Sequence, residues 1–147
     1  MRAATVTASV NASVNKPLVL TKVQDLDFGT VTLGPGVWSN AKISVSQGGA
    51  LTCGSANVVC SGVPMVAKYN VQGSKRQAVR ISAPNVTLVN QSDSAQTLTL
   101  VTDAPATITL ANSGLPGSNF SVGGSITLSS TTTAGTYVGT MNVTVDY

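Results

Sequence analysis

Ala4-Thr5-Val6-Thr7-Ala8-Ser9-Val10-Asn11-Ala12-Ser13-Val14-Asn15 alternates without a break over twelve residues. Its even positions are Ala4, Val6, Ala8, Val10, Ala12 and Val14, and every odd position is Thr, Ser or Asn. Successive strand side chains point to opposite faces, so an extended chain here has one apolar and one polar face. Small Ala alternates with Val on the apolar face, which suits a narrow, shaped groove. The link that follows, Asn15-Lys16-Pro17, lacks the Asn-Gly or Gly-X pair of a tight hairpin, and Pro17 biases Lys16 towards extended geometry. The segment therefore reads as an arm that runs on, away from the body, reaching roughly 40 Å. The sequence predicts that it completes the sheet of another copy. The competing reading is an ordinary first strand of the domain's own sandwich.

Working outward, the rest of the chain repeats the same period. Leu18, Leu20, Leu26 and Phe28 share a parity that Lys22 interrupts, which predicts a bent or bulged strand region. Further strands are expected around Ala41, Ile43 and Val45; around Met65, Ala67, Tyr69 and Val71; and around Val79, Ile81 and Ala83. Val86 and Leu88, Leu98 and Leu100, and Ile108 and Leu110 mark others. Phe120 and Val122 read as short anchors before Gly123-Gly124, with a separate strand at Ile126 and Leu128. The chain closes on one long expected strand with Tyr137, Gly139, Met141, Val143, Val145 and Tyr147 on one face. No segment carries helical periodicity over three turns. Short strands punctuated by Gly, Pro and Asn predict an all-β sandwich.

Composition agrees. In 147 residues only 9% are charged, 42% are apolar and 4% aromatic, so one domain with a β-branched core is the expected size class. Residues 1–16 read as the arm and 17–147 as the body. No stretch has the ~20 apolar residues that a membrane-spanning helix needs, and any secretory leader is expected to be missing already. The net charge of +3 includes a single local cluster, Lys68, Lys75, Arg76 and Arg80. That cluster reads as solvated strand edge, and no nucleic-acid partner is expected.

Candidate chemistry is sparse. Cys53 and Cys60, with six residues between them, predict either a disulfide around a turn-like loop, and with it an oxidising compartment, or two buried thiols. No metal and no cofactor are expected: there is no His and no second Cys pair. Asp25 and Asp27 would share a strand face, where acid–base or cation-binding roles compete with polar surface and turn capping. No Ser has a nucleophile-elbow setting, so no enzyme is predicted. Trp38, the single Trp, is expected in a loop, with a packing or intersubunit role competing with stacking on a sugar.

The ending from Ala134 to Tyr147, with Gly135-Thr136-Tyr137-Val138-Gly139 and then alternating apolar residues to a terminal aromatic, resembles the last strand of bacterial chaperone–usher pilins. Leu26-Asp27-Phe28-Gly29 is similar to the early part of fimbrial domains, and the nearest match is the archaic, spore-coat-like branch. The resemblance implies an immunoglobulin-like sandwich that is incomplete and is finished by a neighbouring subunit's N-terminal donor strand. It implies Ala4, Val6, Ala8, Val10, Ala12 and Val14 as donor residues, and Tyr137, Met141, Val143, Val145 and Tyr147 as lining the acceptor groove. The implied partners are further copies in a helical filament, with a periplasmic chaperone and an outer-membrane usher during assembly. The implied location is the bacterial cell surface, reached through the periplasm. A local Cys53–Cys60 loop departs from the disulfide of many pilins, which staples early strands. The alternative function is a secreted β-sandwich adhesin or carbohydrate-binding module that does not polymerise.

Overall fold

The computed structural model describes residues 4–6, 9 and 11–147. Its strands are β1 (Val19–Gln24), β2 (Thr30–Leu33), β3 (Ala41–Val45), β4 (Leu51–Cys53), β5 (Val58–Ser61), β6 (Ala67–Gln72) and β7 (Ala78–Ser82). They continue as β8 (Val86–Asn90), β9 (Thr97–Asp103), β10 (Thr107–Thr109), β11 (Ser118–Leu128), β12 (Tyr137–Val138) and β13 (Thr144–Asp146). The fold is all-β. An eight-stranded sheet runs β1-β6-β11-β9-β8-β12, with β3 added on β11 and β4 on β3. A three-stranded sheet, β10-β7-β13, and the pair β2-β5 lie apart from it. The sheets curl over one another in a sandwich-like arrangement, as the sequence predicts.

Two apolar clusters fill the interior. The first joins Ala41, Ile43, Val58, Val86, Leu100, Ile126 and Leu128. The second joins Ala67, Tyr69, Val71, Val79, Leu110, Phe120 and Val122. Each cluster follows from period-two alternation: Ala67, Tyr69 and Val71 are buried while Lys68 is exposed. The cross-strand pair Tyr69 and Phe120 stacks at 5.4 Å between ring centroids, within the range in which aromatic pairs add to simple burial.

β11 is the axis of the sandwich, and here the structure corrects the sequence reading. Phe120 and Ile126 belong to one uninterrupted strand of 11 residues, not two elements. A Cβ on Gly123 would lie 2.1 Å from the Val45 carbonyl oxygen, and one on Gly124 would lie 2.7 Å from Leu100 Cδ1. The two glycines therefore let β3 and β9 press onto β11 while its even side chains line both clusters. The sequence signal that reads as a turn is a close approach of strands.

The C-terminal segment differs from expectation in pairing but not in facing. Tyr137, Met141, Val143, Val145 and Tyr147 are half-buried and the even residues between them exposed. The ladder, however, is two short pieces: β12 on β8 and β13 on β7. Residues 139–143 between them form no strand. β7 and β8 belong to different sheets and are separated by Ala83, Pro84 and Asn85. Proline cannot donate to a ladder, and the register slips across it, from Tyr137 opposite Asn90 to Thr144 opposite Ser82.

Cys53 and Cys60 are disulfide-bonded, with Cα atoms 6.3 Å apart. The bond does more than close a local loop. It ties β4, in the main sheet, to β5, in the two-stranded pair.

Candidate functional site

A cleft of about 1020 Å³ opens between two stretches of chain. One lip is residues 25–33; the other is residues 132–141. Between them lie Val86 and Leu88 of β8, Leu98 and Leu100 of β9, and Ile126 and Leu128 of β11. The lip side chains Leu26, Phe28, Val31, Leu33 and Met141 are half-buried against the first cluster.

Local chemistry shapes the first lip. β1 carries a bulge between Lys22 and Gln24, where Lys22 interrupts the alternation. Asp27 then forms an isolated two-bond bridge with Met65, at 2.8 and 2.9 Å. Its carboxylate accepts a hydrogen bond from the Gly29 amide at 2.8 Å. That is the turn-capping role among the readings of Asp27. Gly29 has a φ of 77°, and a Cβ there would lie 2.5 Å from the Ser61 carbonyl oxygen, so only glycine makes this bend against β5. Asp25 sits at the rim in an ion pair with Lys22 at 2.8 Å. The hydrogen bond and charge of Asp25 raise the Lys22 pKa above its ordinary value.

The second lip hangs from Asn90, 1% exposed and buried at the end of β8. Its amide donates to the Ala134 carbonyl at 3.1 Å, and its side-chain oxygen accepts from the amides of Ser92 and Asp93. Gln91 N–H donates to the Thr136 carbonyl at 2.8 Å. The Tyr137 hydroxyl donates to the Thr133 carbonyl at 2.6 Å.

Backbone pairing is as telling as the apolar lining. Among the described residues β1 pairs with β6 alone, β2 with β5 alone, β12 with β8 alone and β13 with β7 alone. Each lip therefore presents a strand edge without a ladder partner, beside side chains that are half out of the core. Unpaired edges next to apolar surface are sites for strand addition. Burial raises the Tyr69 phenol above its usual 10.0, opposed by the charge of Lys22, and no metal-binding cluster occurs among the described residues.

Of the expected acceptor residues, Tyr137 and Met141 line the cleft. Val143, Val145 and Tyr147 pack instead against the second cluster, beside Leu18 and Leu20. Of the expected donor residues, Ala4, Val6, Ala12 and Val14 are exposed and in no strand. Val6 is 91% exposed and Val14 90%. Ala8 and Val10 lie outside the described residues. Trp38 packs against the first cluster, and its indole N–H donates to the Gly34 carbonyl at 3.1 Å, so it takes the packing role. Sequence reading missed Val31, Leu33, Leu88 and Leu98 as cleft residues, and Asn90 as the anchor of a lip. The parity of Leu26 and Phe28 was the one available signal; the convergence of β2, β8 and β9 leaves none in the local pattern.

A family model described as a domain of unknown function (DUF4402) matches residues 18–147. No curated protein and no solved structure matches the chain.

Proposed function

The chain belongs to the DUF4402 family over residues 18–147, and we propose that it is a structural subunit of an extracellular pilus that polymerises by donor-strand exchange. The apolar face of residues 4–14 from one copy lies in the cleft of the next, between residues 25–33 and 132–141. One observation carries the reading: the cleft is apolar on its floor and bordered by strand edges that have no partner among the described residues. A strand laid there would gain main-chain hydrogen bonds from the lips and bury alternate side chains, the usual basis of strand addition. The arm has the matching chemistry, with Val6 and Val14 almost wholly in water.

Donor and acceptor are different surfaces of one molecule, so the contact is heterologous and grows an open chain unless it closes into a ring. The Cys53–Cys60 bond fits export through an oxidising periplasm. There a chaperone would cover the cleft, and an outer-membrane usher would exchange it for the next arm. Work on this reading is done by assembly, without catalysis or cofactor, and supports adhesion or biofilm formation.

The test uses the full chain. The unaltered protein is expected to form uniform thin filaments in negative-stain images. The double variant Val6→Asp, Val10→Asp is expected to stay monomeric and to bind an added peptide of residues 3–16, which in excess also shortens filaments of the unaltered chain. Filaments from the double variant, or a cleft indifferent to the peptide, would refute the proposal.

A further inference from the structure

The arm leaves the body through a closed ring of hydrogen bonds. The Lys16 backbone N–H donates to Ser74 Oγ at 2.7 Å. The Ser74 N–H donates to the Tyr147 hydroxyl oxygen at 2.9 Å, and that hydroxyl donates to the Lys16 carbonyl. Three segments distant in sequence are thus joined at one point: the root of the arm, the turn after β6, and the residue that follows β13. The packing beneath is tight. A Cβ on Gly73 would lie 2.7 Å from the Tyr147 hydroxyl and 2.8 Å from Leu18 Cδ2. Pro17, next along, has a fixed φ and no N–H, and it holds Lys16 extended. Both main-chain groups of Lys16 are therefore spent on the body.

This matters because the arm's own cleft is the nearest one. Lys16 is rooted next to Leu18 and Tyr147, both packed on the second cluster, while the floor of the cleft belongs to the first. A flexible short link would give the arm an effective concentration of about millimolar at its own cleft. At micromolar protein that favours self-docking roughly a thousandfold over docking into a second copy, unless geometry forbids it. With the Lys16 backbone held in this ring, Ala4, Val6, Ala12 and Val14 of the arm are exposed and in no strand.

Resting on the strand-addition reading above, we infer that the Lys16–Ser74–Tyr147 ring is a positioning device that directs the arm away from its own cleft and so selects docking into another copy. Tyr147 and Ser74 act on partner choice through the backbone of Lys16, without touching the docked strand.

The test compares the full-length chain with Tyr147→Phe, which keeps the ring system and loses two hydrogen bonds, and with Ser74→Ala. Each is refolded at micromolar concentration. Oligomeric state is read by light scattering after size exclusion, and cleft occupancy by binding of a labelled peptide of residues 3–16. A self-filled monomer refuses the peptide and melts higher than an open one. Both variants are expected to raise the peptide-refractory monomer share about tenfold and to slow chain growth correspondingly, as the loss of one or two net hydrogen bonds implies. If both variants melt lower but keep the unaltered share of refractory monomer, the ring is merely structural and the inference is overturned. If no form of the protein binds the peptide and none oligomerises, the strand-addition reading itself falls, and this inference with it.

Discussion

Replacing valines of the arm by alanine, one at a time, should reproduce period two in binding energy. Val6 and Val14 are 91% and 90% exposed, so docking would move nearly the whole side chain out of water. Val→Ala removes two methyl-sized groups at about 0.8 kcal/mol each. The expected loss is about 1.5 kcal/mol per valine, roughly a tenfold weaker Kd. The cavity left against Leu88, Leu98 or Met141 can only add to that cost. Alanine at Thr5, Ser9, Asn11 or Ser13 leaves the apolar face intact and should change Kd less than about twofold, since exposed polar substitutions stay within roughly 0.5 kcal/mol. The assay is fluorescence anisotropy of labelled peptides of residues 3–16, titrated with the full chain carrying Val6→Asp and Val10→Asp. A second readout is the rise in melting temperature with peptide, because a ligand that binds only the folded state stabilises it by mass action. Equal losses on the two faces, or larger losses on the polar face, would refute the reasoning: they would mean that the arm is not read as a strand with one face in the cleft.

Other predictions concern the body. Gly123→Ala should cost about 3 kcal/mol or more in urea unfolding, because the new Cβ meets the Val45 carbonyl at 2.1 Å and backbone cannot swing aside. Gly48→Ala, whose Cβ meets nothing closer than 3.7 Å, should change stability by less than about 0.5 kcal/mol. Asn90→Ala leaves the amides of Ser92 and Asp93 and the Ala134 carbonyl without their partner, so unfolding should come about 2–3 kcal/mol sooner. Peptide binding should weaken as well if the second lip loosens. Reducing the Cys53–Cys60 bond should lower stability by about 2–3 kcal/mol in paired denaturant titrations with and without reductant. For Tyr69, burial raises the folded-state pKa above 10.0. A raised pKa means that the folded state holds its proton longer than the unfolded one, so the contribution is complete below pH 10 and is lost as pH rises through the folded value. Tyr69→Phe should flatten that alkaline decline; an unchanged slope would show that the phenol is not its source.

Much of the sandwich was legible because burial on a strand is a local pattern. Ala67, Tyr69 and Val71 announce an inward face without reference to any other segment, and so do the odd residues from Tyr137 to Tyr147. Asp27 as a turn cap and the Cys53–Cys60 bond were among the readings that composition and spacing left open. The reading failed where partners at long sequence distance decide. Gly123 and Gly124 look like a turn until β3 and β9 are placed against them. The last segment looks like one strand until Pro84 sends β7 and β8 into different sheets. Val31, Leu33, Leu88 and Leu98 look like ordinary core until the edges beside them are found without partners among the described residues.

The sequence by itself determined that the chain is built of strands, which face of each is apolar, and that residues 4–15 carry a strand pattern. These follow from the period of side chains along an extended backbone, a property of each segment alone. Only the tertiary structure decided which edges go without partners among the described residues, where half-buried side chains converge into a cleft, and how Lys16 is held as the arm departs. Those depend on hydrogen bonds and contacts between segments far apart in the chain, for which side-chain alternation carries no information.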